Sequence, residues 1–579
     1  MSPPATPPPE RDWWQFIEDR TVTYNFRGHD QEFLPKDALE EVTARQNIEE
    51  AVLRDANLRL NPQERNKLID TISTKAPKLF ATCLYCNFPM KFLKGLLDTG
   101  RTDGSLPLAK GDCPDPEYER GFKTTFWGNQ KRFNAPFFPL DFHKSLAVGV
   151  PIPIQFDEEP ENLKGKGAFG VVSKVRIHPS HHSFPKSEIN EMASDRSNDE
   201  TNDKEAKGDI FAMKVIQHQA SAVREKEFVT AMSGVEKFDH YARCFASFTL
   251  GANYYMIYEL ADCNLQEFVL IYPDRKSHTF LTTCWLLKQT SGLASALRQI
   301  HLPVSSKPTN KLGVPGNEET TGYIHDIKPD NILCYIGKPN CFRLADYSCA
   351  KVAKYVASAS GNNRRSHQTL SRSGTPNYRA PECHRGGSTS RPYDLWSLGC
   401  VFLELLVWFY EGTSAVDEFV EARSGSLYPG GIEDESFYFE DTKNVKRLRG
   451  AVVDKIRQLS DTCTGRLKFF LETITMLLKI STLDRLSAPA LDDRLKSITY
   501  RSDEEVEKGG FPDLDRFLDS HRSDPVSSKH SESESIPQLV EPPSSDWEPA
   551  PHITVEPPSS GDESAPRIRV EPPSPDSTT

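Results

Sequence analysis

Long apolar runs and a secretion leader are both missing from this sequence. No run of about 18 apolar residues occurs in the chain, and its most apolar stretch, around Val401, is interrupted by Glu404. The N-terminal residues show no basic segment followed by an apolar one. We therefore expect an intracellular protein that does not act at a membrane, with the cytoplasm as the first expectation and the nucleus as the alternative.

Disulfide spacing and excess positive charge are missing as well. The 12 cysteines follow no framework, and the CxxC pair of Cys83 and Cys86 has no second pair with which to bind zinc. Reduced thiols are therefore expected, and this pair is expected to lie in a core. The formal net charge of -12 argues against a general nucleic-acid binder, because affinity for phosphates depends on clustered Lys and Arg.

Composition and apolar spacing divide the chain of 579 residues into four segments. Proline-rich and polar segments bury too little apolar surface to fold, whereas apolar residues at helical or strand spacing form cores. The tail repeats VEPPS at Val540, Val555 and Val570, which favours partners that bind proline-rich peptides, or phosphorylation at Ser574. The segments are a disordered Pro-rich lead (1–34), a helical N-terminal region (35–147), an α+β domain in two lobes (148–500) and a disordered acidic Pro/Ser-rich tail (501–579).

Three glycines in GKGAFGVV, Gly165, Gly167 and Gly170, have the GxGxxG arrangement. Such glycines occur in nucleotide lids, in dinucleotide-binding turns and in ordinary hairpins. The residues that follow, VVSKVRI, alternate at period two and so predict a strand, whereas a dinucleotide fingerprint opens a helix. The glycines are therefore expected to close a β-hairpin whose backbone N–H groups can approach phosphate oxygens.

A lysine, Lys214, interrupts the apolar strand FAMKVI, with Ala212 on the same face. Burying a lysine is costly unless it meets an anion, so this position suits a phosphate contact. A lysine on an edge strand that points to water is the alternative.

The stretch YIHDIKPDNIL brings Asp326, Lys328 and Asn331 within six residues, and Asp346 follows in LADYSCAKV. Phosphoryl transfer needs an acceptor for a hydroxyl proton, a cation for the phosphoryl group and oxygen ligands for a metal. An amide oxygen and a carboxylate suit Mg²⁺, which completes its shell with water and phosphate.

With SGTPNYRAPEC and RPYDLWSLGCVFLELL, these motifs resemble the eukaryotic-type protein kinase superfamily in order and spacing. The resemblance extends from about Leu163 to Lys496, so residues 148–500 are identified as a protein kinase domain with a bilobal α+β fold. It implies an N-lobe with an antiparallel sheet and a helix, and a mainly helical C-lobe. The wider arrangement, with LFATCLYCNF before this domain and the Pro-rich tail after it, resembles protein kinases of filamentous fungi.

The resemblance implies ATP and Mg²⁺ as cofactors and gives each motif a role. Asp326 is the expected catalytic base, Lys328 its phosphate partner, and Asn331 and Asp346 the expected metal ligands. Lys214 is expected on the α and β phosphates, paired with a glutamate of SAVREKEFVTAMSG. The expected nucleotide contacts are Gly165, Lys166, Gly167, Ala168, Phe169, Gly170, Val172, Ala212, Lys214, the paired glutamate Glu227 with Glu225 as runner-up, and the hinge residues Glu259 and Ala261.

Two further positions imply the substrate class and a structural ion pair. Lys328 together with Thr375 in GTPNYRAPE matches the serine/threonine kinases, so protein Ser and Thr hydroxyls are the expected acceptors. Glu382 of the APE triplet is expected to pair with Arg485 in STLDRLSA.

Two triplets depart from the family pattern. Ile324 and His325 replace the histidine and arginine of the HRD triplet, and Ser348 replaces the glycine of DFG. Control through a phosphate on the activation loop is therefore not expected to use the usual arginine. A pseudokinase or scaffold that binds nucleotide and partners without efficient transfer is the alternative function, and a small-molecule kinase of related fold is a third.

Overall fold

The computed structural model describes most of the chain between Asp12 and His521, and all statements below concern these residues. They lie in one compact unit. The described ranges are 12–157, 163–167, 170–185, 208–217, 219–232, 239–302, 304–305, 318–337, 341–356, 369–370, 376–386, 388–389, 391–427 and 433–521.

The N-terminal region contains six α-helices of six or more residues, a β-hairpin and a series of shorter helical turns between Pro116 and Phe133. Helix α4 begins with a capping box between Asn61 and Glu64, with proline at its first position, which satisfies the free N–H groups of its first turn. Helix α5 places Cys83 in the core of this region, as predicted, whereas Cys86, which follows the helix, is only half-buried against this core. The elements are α1 (Trp13–Glu18), β1 (Val22–Phe26), β2 (His29–Phe33), α2 (Lys36–Val42), α3 (Arg45–Arg54), α4 (Pro62–Lys75), α5 (Pro77–Tyr85) and α6 (Met90–Asp98).

The prediction of a disordered lead over 1–34 is wrong for the described residues 12–34. Helix α1 and the β1–β2 hairpin lie within it, and residues 1–11 are outside the described residues. The hairpin is regular, with Val22 opposite Phe33 and Phe26 opposite His29. Its order comes from apolar side chains that pack on other parts of the chain.

This hairpin packs against the sheet of the next domain. Phe26 is buried and contacts Phe156 and Tyr255 edge-on or tilted, at ring-centroid distances of 5.3 and 5.5 Å. The backbone N–H of Asn25 donates to the side-chain oxygen of Gln155 at 2.5 Å. The N-terminal region therefore shares a core with the outer face of that sheet.

The main sheet has the strand order β3-β8-β9-β7-β6-β4, with β5 paired to β6. All pairs are antiparallel except β3 with β8. Strand β3 lies inside the predicted helical region but belongs to this sheet. The strands are β3 (Phe142–Ser145), β4 (Ile154–Phe156), β5 (Leu163–Gly167), β6 (Gly170–Ile177), β7 (Asp209–Ile216), β8 (Cys244–Leu250) and β9 (Asn253–Tyr258).

A largely helical lobe follows the sheet and, among the described residues, carries five small sheets of two or three strands. The predicted bilobal α+β fold is confirmed. The helices are α7 (Gln219–Met232), which belongs to the first lobe, and α8 (Leu265–Ile271), α9 (Thr283–His301), α10 (Arg391–Glu411), α11 (Thr413–Ala422), α12 (Gly450–Thr462), α13 (Gly465–Leu477) and α14 (Ala488–Thr499). The next strands are β10 (Cys263–Asn264), β11 (Val304–Ser305), β12 (Glu318–Tyr323), β13 (Ile332–Tyr335), β14 (Cys341–Leu344) and β15 (Lys351–Val356).

Helix α10 is the central helix of this lobe. It is long and apolar enough to cross a membrane, but 94% of its apolar stretch is buried within the protein. It is the one such helix among the described residues. This burial is what a core helix shows.

The predicted disordered tail begins too early. Two more helices, α15 (Asp503–Glu507) and α16 (Pro512–Ser520), lie within 501–521, and Leu514 and Phe517 on α16 are buried in the main core. Asp513 N–H donates to the carboxylate of Glu472 on α13 at 2.8 Å. The prediction is wrong for these residues because α16 has an apolar face that packs on the core although the composition of the segment is polar. Residues 522–579 are outside the described residues.

We expect Gly292→Ala to destabilise the protein by about 1–3 kcal/mol, since a methyl group here overfills a packed core. A Cβ at this position on α9 would lie 2.0 Å from the His240 ring, whose Nδ1 donates to the carbonyl of Phe342 on β14 at 2.7 Å. Thermal unfolding measures the change. Gly128→Ala is the matched control, because nothing lies within 4 Å of its Cβ; equal melting temperatures for both variants would contradict the prediction.

Candidate active site

The glycine-rich stretch forms the predicted hairpin. Gly165 lies opposite Val172 and Gly167 opposite Gly170 in the β5–β6 pair. A Cβ on Gly170 would lie 2.7 Å from the carbonyl oxygen of Val215, so the close approach of β7 requires glycine there. The tip residues Ala168 and Phe169 and the side chain of Lys166 are outside the described residues.

Lys214 lies at the centre of a buried ion-pair cluster. It comes from β7, opposite Val172 on β6, and its side chain is 9% exposed. Its Nζ contacts both carboxylate oxygens of Glu225 at 2.8 Å and Oδ1 of Asp346 at 2.8 Å. The lysine is therefore buried against anions, and the edge-strand alternative is wrong.

The choice of Glu227 as the partner of Lys214 is wrong, and the runner-up Glu225 takes this place. On α7 the buried residues Glu225, Phe228, Val229 and Met232 follow the spacing of one helical face. Glu227 is exposed on the opposite side of the helix. The apolar positions that follow Glu225 by three, four and seven residues were the signal that distinguishes the two glutamates.

The cluster favours the charged forms of Lys214 and Asp346, whereas burial outweighs the charge of Lys214 and raises the pKa of Glu225. Burial alone would lower the pKa of Lys214, but the carboxylates of Glu225 and Asp346 outweigh burial and raise this pKa above its ordinary value. Burial alone would raise the pKa of Asp346, yet the charge and hydrogen bond of Lys214, with hydrogen bonds from Ser348, lower it to about 2.

A small apolar cluster lies beside the glycine hairpin. Val172 and Ala212, both predicted to contact nucleotide, pack with Leu260 of the segment between β9 and β10. The predicted hinge residue Glu259 pairs through its carboxylate with Arg343 at 2.5 Å, and Ala261 is half-buried in the same segment. These apolar surfaces suit the faces of a flat aromatic ring, and Leu260 is the side chain to add to the predicted set.

The loop between β12 and β13 brings the predicted catalytic residues together. Asn331 donates from Nδ2 to the backbone carbonyl of Asp326 at 2.8 Å and to its Oδ2 at 3.0 Å. Lys328 Nζ lies 3.8 Å from the same Oδ2. The side-chain amide of Asn331 therefore orients the Asp326 carboxylate, and the ammonium group of Lys328 lies beside it.

Asp394 of α10 anchors the start of this loop. Its carboxylate accepts from the backbone N–H groups of Ile324 at 2.9 Å and His325 at 2.8 Å, and from Nε2 of His301 at 2.9 Å. Burial raises the pKa of Asp394, but the hydrogen bond and charge of His301 outweigh burial and hold it below its usual value. Asp394 was not predicted, although it stands in RPYDLWSLG, a motif used for the family resemblance.

The two unusual residues of the loop, Ile324 and His325, are both buried. The His325 ring stacks on the Tyr323 ring, with a centroid distance of 5.4 Å and an interplanar angle of 3°. It meets the Tyr393 ring edge-on at a centroid distance of 5.5 Å. His325 has a left-handed backbone with φ of 65°. A ring in this position packs in the core beneath the loop, and whether it replaces the arginine in control by phosphorylation stays a prediction.

The described residues fit a divalent cation. The backbone N–H of Ala345 donates to the carbonyl of Asn331 at 2.9 Å, which brings the start of β13 next to Asp346. Because Asn331 Nδ2 is committed to Asp326, its amide oxygen is left to bind a cation, and Asp346 supplies a carboxylate. Few protein oxygens are what Mg²⁺ takes when phosphates and water complete its shell.

Comparison with known proteins agrees with this geometry. Residues 161–421 match the family model described as "Protein kinase domain". The chain carries a eukaryotic-type protein kinase domain.

The chain is 25% identical to Cyclin-dependent kinase 7 of Dictyostelium discoideum over 45% of this chain and 58% of that protein. It is 25% identical to Homeodomain-interacting protein kinase 2 of Mus musculus over 41% of this chain and 19% of that protein, and 28% identical to Serine/threonine-protein kinase ppk23 of Schizosaccharomyces pombe over 29% and 39%. The chain thus spans 58% or less of these relatives, and the grouping with filamentous fungi stays a prediction.

The segment that ends the activation loop of the kinase domain is held by a confirmed ion pair. Arg485 donates from Nη1 and Nη2 to the two carboxylate oxygens of Glu382 at 2.8 and 3.1 Å. Tyr378, which precedes this pair in sequence, donates to Glu404 of α10 at 2.8 Å. Thr375, on which the predicted substrate class partly rests, is outside the described residues.

Tyr347 and Ser348 replace the last two residues of DFG in the kinase domain. The Tyr347 ring stacks between Phe228 of α7 and Tyr241, at centroid distances of 4.7 and 5.0 Å. Its hydroxyl donates to the carbonyl of Leu344 at 2.6 Å. The segment therefore has anchors that a DFG sequence lacks, and they keep Asp346 next to Lys214.

Proposed function

We propose that the chain is a protein serine/threonine kinase that transfers the γ-phosphate of Mg·ATP to hydroxyl groups of protein substrates. The observation that carries this proposal is the buried contact of Lys214 with both Glu225 and Asp346 at 2.8 Å. This contact joins the sheet, helix α7 and the metal-ligand segment in one arrangement. Phosphoryl transfer depends on such positioning and on charge, since the protein takes little part in covalent chemistry.

Each residue has a defined task in the proposed reaction. Lys214 holds the α and β phosphates, and Asn331 and Asp346 would hold Mg²⁺. The metal, when bound, neutralises charge on the phosphates. Asp326 accepts the proton of the substrate hydroxyl, while Lys328 faces the transferred group. The 3.0 Å hydrogen bond from Asn331 to Oδ2 restrains the orientation of the Asp326 carboxylate.

Serine and threonine are the proposed acceptors. Lys328 lies 3.8 Å from the carboxylate of Asp326, where it can meet the γ-phosphate beside a small hydroxyl. Ppk23, one of the relatives, is named a serine/threonine-protein kinase. We also propose an intracellular location, in the cytoplasm or nucleus, and protein partners for the Pro-rich tail.

A pseudokinase or scaffold is the competing function. The two departures that suggested it, Ile324 and Ser348, both leave the ion-pair cluster intact, and Ser348 hydrogen-bonds with Asp346 at 2.6 Å. The described geometry therefore favours the enzyme, because no group that acts on phosphate or proton is replaced.

The test is transfer of labelled γ-phosphate from Mg·ATP to a generic basic protein and to the chain itself, followed by analysis of the phosphorylated amino acids. We expect phosphoserine and phosphothreonine. Phosphotyrosine as the main product would contradict the substrate class. No transfer, together with a Mg²⁺-dependent thermal stabilisation by ATP, would instead favour the scaffold, because ligand binding alone raises the melting temperature.

A further inference from the structure

Ser348 is buried, with 1% of its surface exposed, and lies two residues after Asp346. Its Oγ donates to Oδ1 of Asp346 at 2.6 Å, and its backbone N–H donates to the same oxygen at 3.1 Å. Lys214 Nζ is a third donor to this oxygen, at 2.8 Å. A glycine at position 348 supplies the backbone donor alone, so the side-chain contact is particular to the serine.

The three donors divide the two oxygens of Asp346 between different tasks. Oδ1 accepts all three hydrogen bonds, and no hydrogen bond to Oδ2 is found among the residues that the structure describes. A carboxylate held at one oxygen by donors in different directions cannot rotate freely about its χ2 bond. Oδ2 is then the oxygen that is left to bind a cation.

The backbone of Asp346 makes this restraint more important. Its φ is 58°, in the left-handed region that non-glycine residues seldom adopt, although aspartate tolerates it better than most. A short hydrogen bond from the next-but-one side chain closes a local turn around this strained position. Ser348 thus stabilises the conformation in which Asp346 contacts Lys214.

We propose that Ser348 is a positioning residue that orients Asp346 for Mg²⁺. Its hydroxyl restrains the Asp346 carboxylate, whereas a glycine at position 348 would leave this metal ligand less restrained. The proposal rests on the proposed function, because it assumes that Asp346 binds the metal of Mg·ATP. It interprets the missing glycine as an adaptation of the metal site and not as a sign of lost activity. Residues that hydrogen-bond to metal ligands commonly contribute about 10- to 100-fold to metal affinity.

The test is a Mg²⁺ titration of the full chain in the presence of ADP, followed by thermal shift and by calorimetry. For Ser348→Ala we expect the Mg²⁺ midpoint to rise about 10-fold or more. ADP binding in EDTA should stay unchanged, since the affected contact concerns the metal ligand. Ser348→Thr keeps the hydroxyl and should restore the wild-type midpoint, which a merely structural role for the side chain would not predict.

Thr290→Val is the matched control for loss of a buried hydroxyl. Thr290 is fully buried on α9, and its Oγ1 donates to the carbonyl of Leu286 at 3.0 Å, within its own helix. We expect this variant to lose stability without a change in the Mg²⁺ midpoint. If Ser348→Ala does not fold, Ser348→Gly replaces it, because glycine also lacks the hydroxyl.

The outcomes separate this proposal from the proposed function. A wild-type protein that responds to Mg²⁺ with ADP, and a Ser348→Ala variant with the same midpoint, would overturn the positioning role and leave the kinase proposal standing. A wild-type protein without any Mg²⁺-dependent response would overturn both.

Discussion

Replacing Asp326 with asparagine is expected to lower kcat for protein phosphorylation by about 10²- to 10⁴-fold, the usual contribution of a general base. The side chains have nearly the same shape, so the position next to Asn331 and Lys328 is preserved. What changes is the ability to accept the hydroxyl proton, since an amide oxygen is a far weaker base. A single-turnover assay with labelled ATP measures the loss directly.

Asp330 provides the matched control for this experiment. It lies in the same loop, in the short helical turn Pro329–Asn331, and its side chain is exposed. Asp330→Asn removes an equal charge four residues away, and we expect kcat to stay within a few-fold of the wild type. Stabilisation by Mg·ATP should be similar in both variants. Transfer by Asp326→Asn at a rate near that of Asp330→Asn would refute the role of Asp326 as the base.

The parts of the site that the sequence predicts correctly are those encoded by local patterns. The glycine hairpin is an example, because period-two alternation in VVSKVRI identifies a strand and so excludes a helix after Gly170. The loop from Asp326 to Asn331 is another, since its members are close in sequence and Pro329 prevents a regular helix. In these cases the neighbours along the chain also are the neighbours in space.

The parts that it does not predict depend on contacts between distant segments. The β1–β2 hairpin is ordered because Phe26 packs against Phe156 and Tyr255, and neither contact is visible in a proline-rich, polar lead. Helix α16 is ordered because Leu514 and Phe517 reach the main core. Composition averages over such residues, so it placed both boundaries of the folded part too far inside the chain.

The role of Ser348 illustrates a third kind of limit. A motif comparison registers it as a missing glycine, which suggests impaired function. The hydrogen bond to Asp346 depends on the positive φ of that aspartate and on the rotamer of the serine, and neither can be read from residue identity. A departure from a family pattern therefore has to be judged by what the new side chain contacts.

The kinase domain and the N-terminal region share the main sheet and the core on its outer face. Strand β3, which lies before the predicted domain boundary, pairs in parallel with β8, and Phe26 shares a core with β4 and β9. Strand β9 also pairs with β7, the strand that carries Lys214. The N-terminal region thus packs on the outer face of the sheet, and α7 places Glu225 against its inner face. We therefore expect the position of Lys214 to depend on the packing of both faces.

Glu225→Gln is expected to lower kcat/KM by about 100-fold, because moving a phosphate-positioning group such as Lys214 by about 1 Å can cost about 10²-fold in rate. The glutamine keeps the shape of the side chain but loses the charge that holds Lys214 at 2.8 Å. Lys214 then has Asp346 as its remaining carboxylate partner among the described residues, and it is drawn from the phosphate towards the metal ligand. Steady-state kinetics with varied ATP measures the effect, which should appear in both kcat and KM.

Glu227→Gln on the same helix is the control that decides between the two glutamates. Glu227 is exposed and two residues away, so an equal change of charge there should alter kcat/KM by less than about two-fold, as is usual for surface substitutions. Lys214→Arg is expected to resemble Glu225→Gln, because a guanidinium cannot reproduce the contacts of one ammonium with two carboxylates in this space. A larger loss with Glu227→Gln than with Glu225→Gln would mean that α7 rotates when substrate binds and that the observed pair is not the catalytic one.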